Sequence, residues 1–191
     1  MPSIEFFVLA FFFVLIFAIV FAIAWVKAVC VTTDLYEKLE EAMRHSTIDY
    51  LTGVLNRRGI FKEVWQAMNL VRRGEYSTVA FIDLDGLKKV NDTEGHAAGD
   101  ELLKNFTSFL QGHLRTADRF GRMGGDEFLI VFYQLDKAGA QRVMEKLQKS
   151  SNNFSFGLCE IESSDNEKVV EDIVRHADQE MYKNKTTRKG T

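Results

Sequence analysis

From Phe6 to Val26 the chain runs 21 residues without a charge. A helix of that length rises about 30 Å, the thickness of a bilayer's hydrocarbon core. Its apolar character goes all the way round, whereas a surface helix of a globular domain keeps a polar face. No basic residue precedes the run, and the run is longer than the apolar stretch of a cleaved leader. Lys27 lies three residues before Cys30, which does not fit a lipoprotein cleavage site. The reading is an uncleaved membrane anchor over residues 6–26, with Trp25 as an interfacial aromatic. Lys27, Lys38 and Arg44 follow the run, which predicts a cytoplasmic C-terminal side. Residues 1–5 are expected outside the cytoplasm, too few for an external sensor domain.

The anchor skews the composition. Residues 1–26 hold seven of the 16 Phe and a single charge, Glu5. After Val26 stand 26 acidic and 24 basic residues, a net charge of −2. That balance excludes a protein held to nucleic acid by bulk positive charge. Two cysteines, Cys30 and Cys159, exclude a disulfide scaffold and a CxxC metal site. Residues 27–48 are expected to form a linker or stalk, with helix running over Ala28–Tyr50. Leu35, Leu39 and Ala42 give it a short apolar seam, which fits a dimeric stalk or a monomeric linker. Residues 49–191 are long enough to bury a core without staples.

That remainder alternates helix and strand. Helices are predicted over Asn56–Arg73, Gly99–Leu114, Ala138–Lys149 and Val169–Lys183, where apolar residues recur at helical spacing. In the first of these, Ile60, Phe61, Val64, Trp65, Met68 and Val71 are expected to face inward. Strands are predicted over Thr78–Leu84, Arg119–Met123, Glu127–Tyr133 and Phe154–Ile161, with Gly124-Gly125-Asp126 as a hairpin turn. The fold class is α/β (α+β), one mixed sheet with helices packed against it.

Two turns carry acids. The apolar strand Thr78–Leu84 ends in Asp83-Leu84-Asp85, and the hairpin presents Asp126 and Glu127. Carboxylates from two turns suit a hard cation such as Mg²⁺, which takes few protein ligands and fills its shell with water and phosphate oxygens. The chemistry indicated is metal-assisted reaction at a phosphate ester.

Gly124-Gly125-Asp126-Glu127-Phe128 is the GGDEF signature and resembles the bacterial diguanylate cyclase family. The likeness extends along the chain. Asp49-Tyr50-Leu51-Thr52-Gly53 through Asn56-Arg57-Arg58 resembles the family's opening motif. Asp83, Asp85, Lys88, Asn91-Asp92, Gly95-His96 and Gly99-Asp100 resemble its next stretch. Ser155-Phe156-Gly157 and Ala177-Asp178, Tyr182 and Lys185 resemble its closing strand and helix. The resemblance implies a ferredoxin-like palm domain of the nucleotidyl cyclase type. It also implies condensation of two GTP into cyclic di-GMP with release of two pyrophosphates, across a homodimer.

By the same resemblance, Asp83, the Leu84 carbonyl and Asp126 bind Mg²⁺ or Mn²⁺, and Asp126 doubles as general base on the 3′-hydroxyl. Glu127 either joins the metal or supports the hairpin. Asn91 and Asp100 read guanine, whose N1–H and N2–H₂ donors suit a carboxylate. His96 contacts substrate, and Lys88, Lys185 and Lys189 cover the triphosphate. Arg115 and Asp118 fall at the R-x-x-D product-inhibition position, with Glu145 and Lys146 from another domain completing it. His45, His113 and His176 match no family position.

Three departures stand out. Gly86 replaces the family's usual His or aromatic, Arg188-Lys189 replaces a closing G-R, and the connection before Phe154 is short. The expectation is a single-pass protein of the bacterial cytoplasmic membrane, active as a cyclase, without a nucleic-acid partner. Its rivals are a catalytically weak GTP or cyclic di-GMP sensor, and a scaffold for membrane partners.

Overall fold

The computed structural model describes residues 4–151, 154–162 and 170–189, in two compact units, Met1–Ser46 and Thr47–Thr191. The first unit is one helix, α1 (Ile4–His45). Among its described residues the candidate span is Leu15–Tyr36, with mean hydropathy 2.4 and none of it buried. The expected span 6–26 starts among side chains outside the described set, as do Leu39, Ala42 and Arg44. The helix stops at His45, before the expected Tyr50. The Asp49 carboxylate accepts from the Thr52 N–H at 2.9 Å and the Thr52 hydroxyl at 2.6 Å, a local turn that competes with helix.

The second unit follows the order β1 (Leu55–Asn56), α2 (Arg57–Val71), β2 (Ser77–Leu84), α3 (Leu87–Glu94), α4 (His96–His113), β3 (Arg119–Gly124), β4 (Glu127–Tyr133), α5 (Lys137–Ser150), β5 (Phe154–Glu160) and α6 (Val170–Lys189). The sheet order is β1-β3-β4-β2-β5. The β2–β4, β2–β5 and β3–β4 pairs are antiparallel, and β1 adds a short parallel pair to β3. Without β1 this is the β-α-β-β-α-β order of the ferredoxin-like fold, as expected.

Alternation along the strands builds a core on each face. Ala80, Ile82, Leu84, Phe128, Ile130 and Phe132 face α4 and α5. Val79, Phe81, Leu129, Val131 and Cys159 face α2 and α6. Asn56 caps α2 by accepting from the Gly59 N–H at 3.0 Å, so the helix starts where the sequence placed it.

Three expectations need correction. The segment after Gly86 is a helix, α3, which its few apolar residues did not reveal. Helix α4 begins at His96, three residues before the expected Gly99. Trp65 is 60% exposed rather than inward, and Ala67 holds a core position on α2 instead. Val169, the expected start of the last helix, lies outside the described residues.

Candidate active site

The two acidic turns converge at one end of the sheet. Asp83 pairs in register with Glu127 of β4 on one side and Ser155 of β5 on the other. The Leu84 N–H donates to the Asp126 carbonyl at 2.9 Å, which ties the end of β2 to the hairpin tip. Gly125 sits at φ +54 in that tip, a conformation glycine adopts without strain. Leu84 itself is buried in the core, whereas Asp83 and Asp126 are half-buried and Glu127 is exposed.

Helix α6 brings a cation to these acids. Lys185 Nζ lies 2.5 Å from Asp83 Oδ1 and 3.9 Å from Asp85 Oδ1. Burial works against the Lys185 charge, but the bond to Asp83 and the charges of Asp83, Asp85 and Asp126 outweigh it and raise its pKa. Although Glu127 reaches solvent, burial of part of its carboxyl pushes its pKa up, together with Asp178, Asp126 and Asp83 and against the pull of Arg57. Asp178 on α6 thus adds its negative charge to the field at Glu127, although the sequence offered it only as a matched family position.

The raised Glu127 pKa has a sign. The folded state binds its proton more tightly, so this contribution to stability is full below the ordinary value of 4.5 and is lost as pH rises through the folded value. Glu127→Gln is expected to raise Tm at pH 7 relative to wild type and to leave it unchanged near pH 4. Thermal melts at both pH values check this; a lower Tm at pH 7 would contradict it.

The hairpin is braced from the opening motif. Arg122 donates from Nε to the Gly125 carbonyl at 2.9 Å, and its guanidinium lies 3.5 Å from Asp49 Oδ1. Burial raises the Asp49 pKa, but hydrogen bonds from Thr52 and the charge and bond of Arg122 bring it below its ordinary value. Asp49 and Arg122 were assigned no role from the sequence. An Arg two positions before the glycine pair was the available signal.

The expected guanine readers lie on the helices that follow β2. Asp85 and Gly86 lead directly into α3, which carries Lys88, exposed, and Asn91, half-buried. The Asn91 Oδ1 is buried and has no hydrogen-bond partner among the described residues. It packs on α4 so closely that a Cβ on Gly99 would stand 2.0 Å from it. His96 and Asp100, both exposed, lie one turn apart on α4 and share a face. The Lys189 side chain lies outside the described ones.

Arg115 and Asp118 sit elsewhere. The Arg115 guanidinium makes two bonds to Asp118, 2.8 and 3.2 Å, and a third to the Tyr133 carbonyl at 3.1 Å. The bond and charge of Asp118 raise the Arg115 pKa against partial burial. Tyr133 ends the strand that Glu127 begins, so the pair lies about 20 Å along β4 from the acidic end. Lys146 is exposed on α5.

An all-oxygen set of two half-buried carboxylates, already holding an ammonium, fits a hard cation such as Mg²⁺. Among the described residues no group of three or more His, Cys, Asp or Glu has metal-binding geometry, so water and phosphate would fill most of the shell.

The family model described as "Diguanylate cyclase, GGDEF domain" matches residues 46–191. This chain belongs to the GGDEF family. It is 38% identical over 122 residues to the diguanylate cyclase DosC of Escherichia coli, which covers 62% of this chain and 26% of DosC. The match thus spans about a quarter of that relative's length. A sensory box/GGDEF family protein from Caulobacter crescentus superposes with TM-score 0.68 at 29% identity, over 74% of this chain and 99% of that one. A microbial GGDEF domain studied with cyclic di-GMP superposes with TM-score 0.67 at 30% identity, over 76% of this chain and 94% of that one. The fold is the GGDEF palm, and the hairpin tip described above is the family's signature turn.

Proposed function

We propose that this chain is a diguanylate cyclase that condenses two GTP into cyclic di-GMP and two pyrophosphates. The observation that carries this reading is the convergence of Asp83 and Asp126, half-buried and joined through the β2–hairpin backbone, with Lys185 as their counter-ion.

Asn91 and Asp100 hold the guanine of one GTP, with Asp100 accepting from its N1–H and N2–H₂. Lys88 and Lys185 bind the triphosphate, and Lys185 exchanges Asp83 for phosphate oxygens as substrate enters. Lys189 is assigned the same task and His96 a contact with substrate. Asp126 accepts the proton of the 3′-hydroxyl. That oxygen attacks the α-phosphate of the GTP held by a second domain, and pyrophosphate leaves. Mg²⁺ or Mn²⁺, held by Asp83, Asp126 and the Leu84 carbonyl, would neutralise phosphate charge and acidify the hydroxyl. Glu127 adds negative charge beside this site. Each domain holds one GTP, so two domains face each other across a two-fold axis. Arg115 and Asp118, with Lys146 of another domain, form the place for inhibitory product. The protein is anchored in the bacterial cytoplasmic membrane by α1, with residues 49–191 in the cytoplasm.

The test is incubation of the purified chain with GTP and Mg²⁺, read by chromatography and mass spectrometry. Cyclic di-GMP is the expected product. A folded chain that binds GTP and makes none would overturn the cyclase reading in favour of a nucleotide sensor.

Gly99→Ala tests the guanine pocket. The new methyl meets the Asn91 amide, which must turn away from its seat. KM for GTP is expected to rise about tenfold, the equivalent of ~1.4 kcal/mol. An unchanged KM in initial-rate assays would remove Asn91 from the site.

A further inference from the structure

Helix α2 carries a face that the nucleotide chemistry does not use. Arg58, Lys62, Trp65, Asn69 and Arg72 recur at steps of four and three residues, which aligns them in one stripe. The opposite side holds Ile60, Val64, Ala67 and Val71, buried against the sheet. Arg58, Lys62, Trp65 and Arg72 are exposed. Arg57 and Arg73 flank the stripe, with the Arg57 guanidinium 5.2 Å from the Phe61 ring centroid. The one acid of α2, Glu63, is committed elsewhere: it accepts from the Tyr133 hydroxyl at 2.9 Å and lies 3.9 Å from Arg119. Arg58, Phe61, Lys62 and Trp65 join Val170 and Glu171 of α6 around a shallow hollow of about 350 Å³, where Glu171 is the single acid among the described residues.

Charge and hydropathy point to the same occupant. The chain carries net −3, yet Arg58, Lys62 and Arg72 line three cations along this stripe, with Arg73 next to its end. An anionic surface would repel the chain as a whole and attract it here. A lone exposed apolar residue is ordinary. An indole in the middle of a basic stripe, over a partly apolar hollow, matches what a headgroup layer receives: cations at the phosphates, the ring at the water boundary. The same chain contains a candidate membrane span, Leu15–Tyr36. We propose that the Arg58–Lys62–Trp65 face of α2 docks on the anionic lipid surface of a membrane, with the Trp65 ring among the headgroups. The inference takes the bilayer from the anchor reading and owes nothing to the cyclase reading.

Trp25 and Trp65 are the only two tryptophans, so Trp25→Phe leaves Trp65 as sole reporter in the full chain. That protein is placed in nanodiscs of phosphatidylcholine, with or without phosphatidylglycerol, doped with a brominated lipid. The expected result is a blue-shifted, quenched Trp65 in the anionic discs only, reversed by molar salt. Arg58→Glu with Lys62→Glu should abolish the quenching while circular dichroism stays unchanged. Each cation near an anionic surface is worth about fivefold in binding. Trp65 emission that is the same in both discs would overturn the proposal. So would shielding that depends on two chains per disc, which would make the occupant a second copy. If the chain fails to enter discs, the anchor reading falls. The docking proposal is then read by the same quenching on added phosphatidylglycerol vesicles, where an unquenched Trp65 overturns it.

Discussion

Asp126→Asn is expected to lower cyclic di-GMP formation by about 10³-fold or more, a loss of roughly 4 kcal/mol in transition-state stabilisation. Asp83→Asn should fall equally far. Each substitution keeps the shape of the side chain and removes a charge. The backbone that positions both residues does not depend on those charges: Leu84 N–H still donates to the Asp126 carbonyl, and β2 keeps its register with β4. The variants should therefore remain folded and bind GTP through the α3–α4 side. Product measured by chromatography at saturating GTP and Mg²⁺, with a thermal melt alongside, tests this. A folded Asp126→Asn that keeps a tenth of wild-type turnover would remove Asp126 from the reacting centre. Asp83→Asn also frees Lys185, whose nearest counter-charge it is. The two variants thus differ in their response to phosphate even where both are inactive.

The largest structural effect is expected at Gly157. A Cβ there would stand 2.0 Å from the Met181 nitrogen, 2.3 Å from the Ala177 oxygen and 2.7 Å from the Glu180 carbonyl carbon. All three are backbone atoms of α6, so no side chain can swing aside. Helix α6 must lift off β5, which loosens Ile173, Val174, Ala177 and Met181 from their core. Gly157→Ala is expected to cost about 3 kcal/mol or more, a fall in Tm on the order of 10 °C. Lys185 rides on the same helix, so turnover should fall with stability. Circular dichroism melts decide the matter: an unchanged Tm would mean that α6 is not seated on Gly157.

The strands and most helices were legible because their apolar residues repeat at the strand or helix period. Helix α3 was not, since Leu87 is its one buried residue and Val90 its only other apolar one. Trp65 is apolar yet falls, by helical spacing, on the side of α2 away from Ile60, Val64, Ala67 and Val71, so residue type alone points it the wrong way. The sheet covers an arc of α2 that includes Ala67 and stops short of the indole.

The site was legible as motifs and as residue types. Acids at the ends of apolar strands announce a ligand end, and the signature turn names the family. The brace from Asp49 through Arg122 to Gly125 joins residues 73 positions apart, and the Lys185–Asp83 pair joins residues 102 apart. No local pattern carries such distances.

The sequence by itself determined an apolar span, one mixed sheet with helices packed against it, the acidic turns and the family, because each is written in composition or in short-range spacing. Only the tertiary structure decided which charges meet. Antiparallel pairing of β2 with β4 sets Asp83 beside the hairpin, and Gly157 lets α6 close over β5 to deliver Lys185 and Asp178. The outward face of α2 is left basic around Trp65. Those juxtapositions depend on strand register and on how closely two backbones approach, which residue identity constrains but does not state.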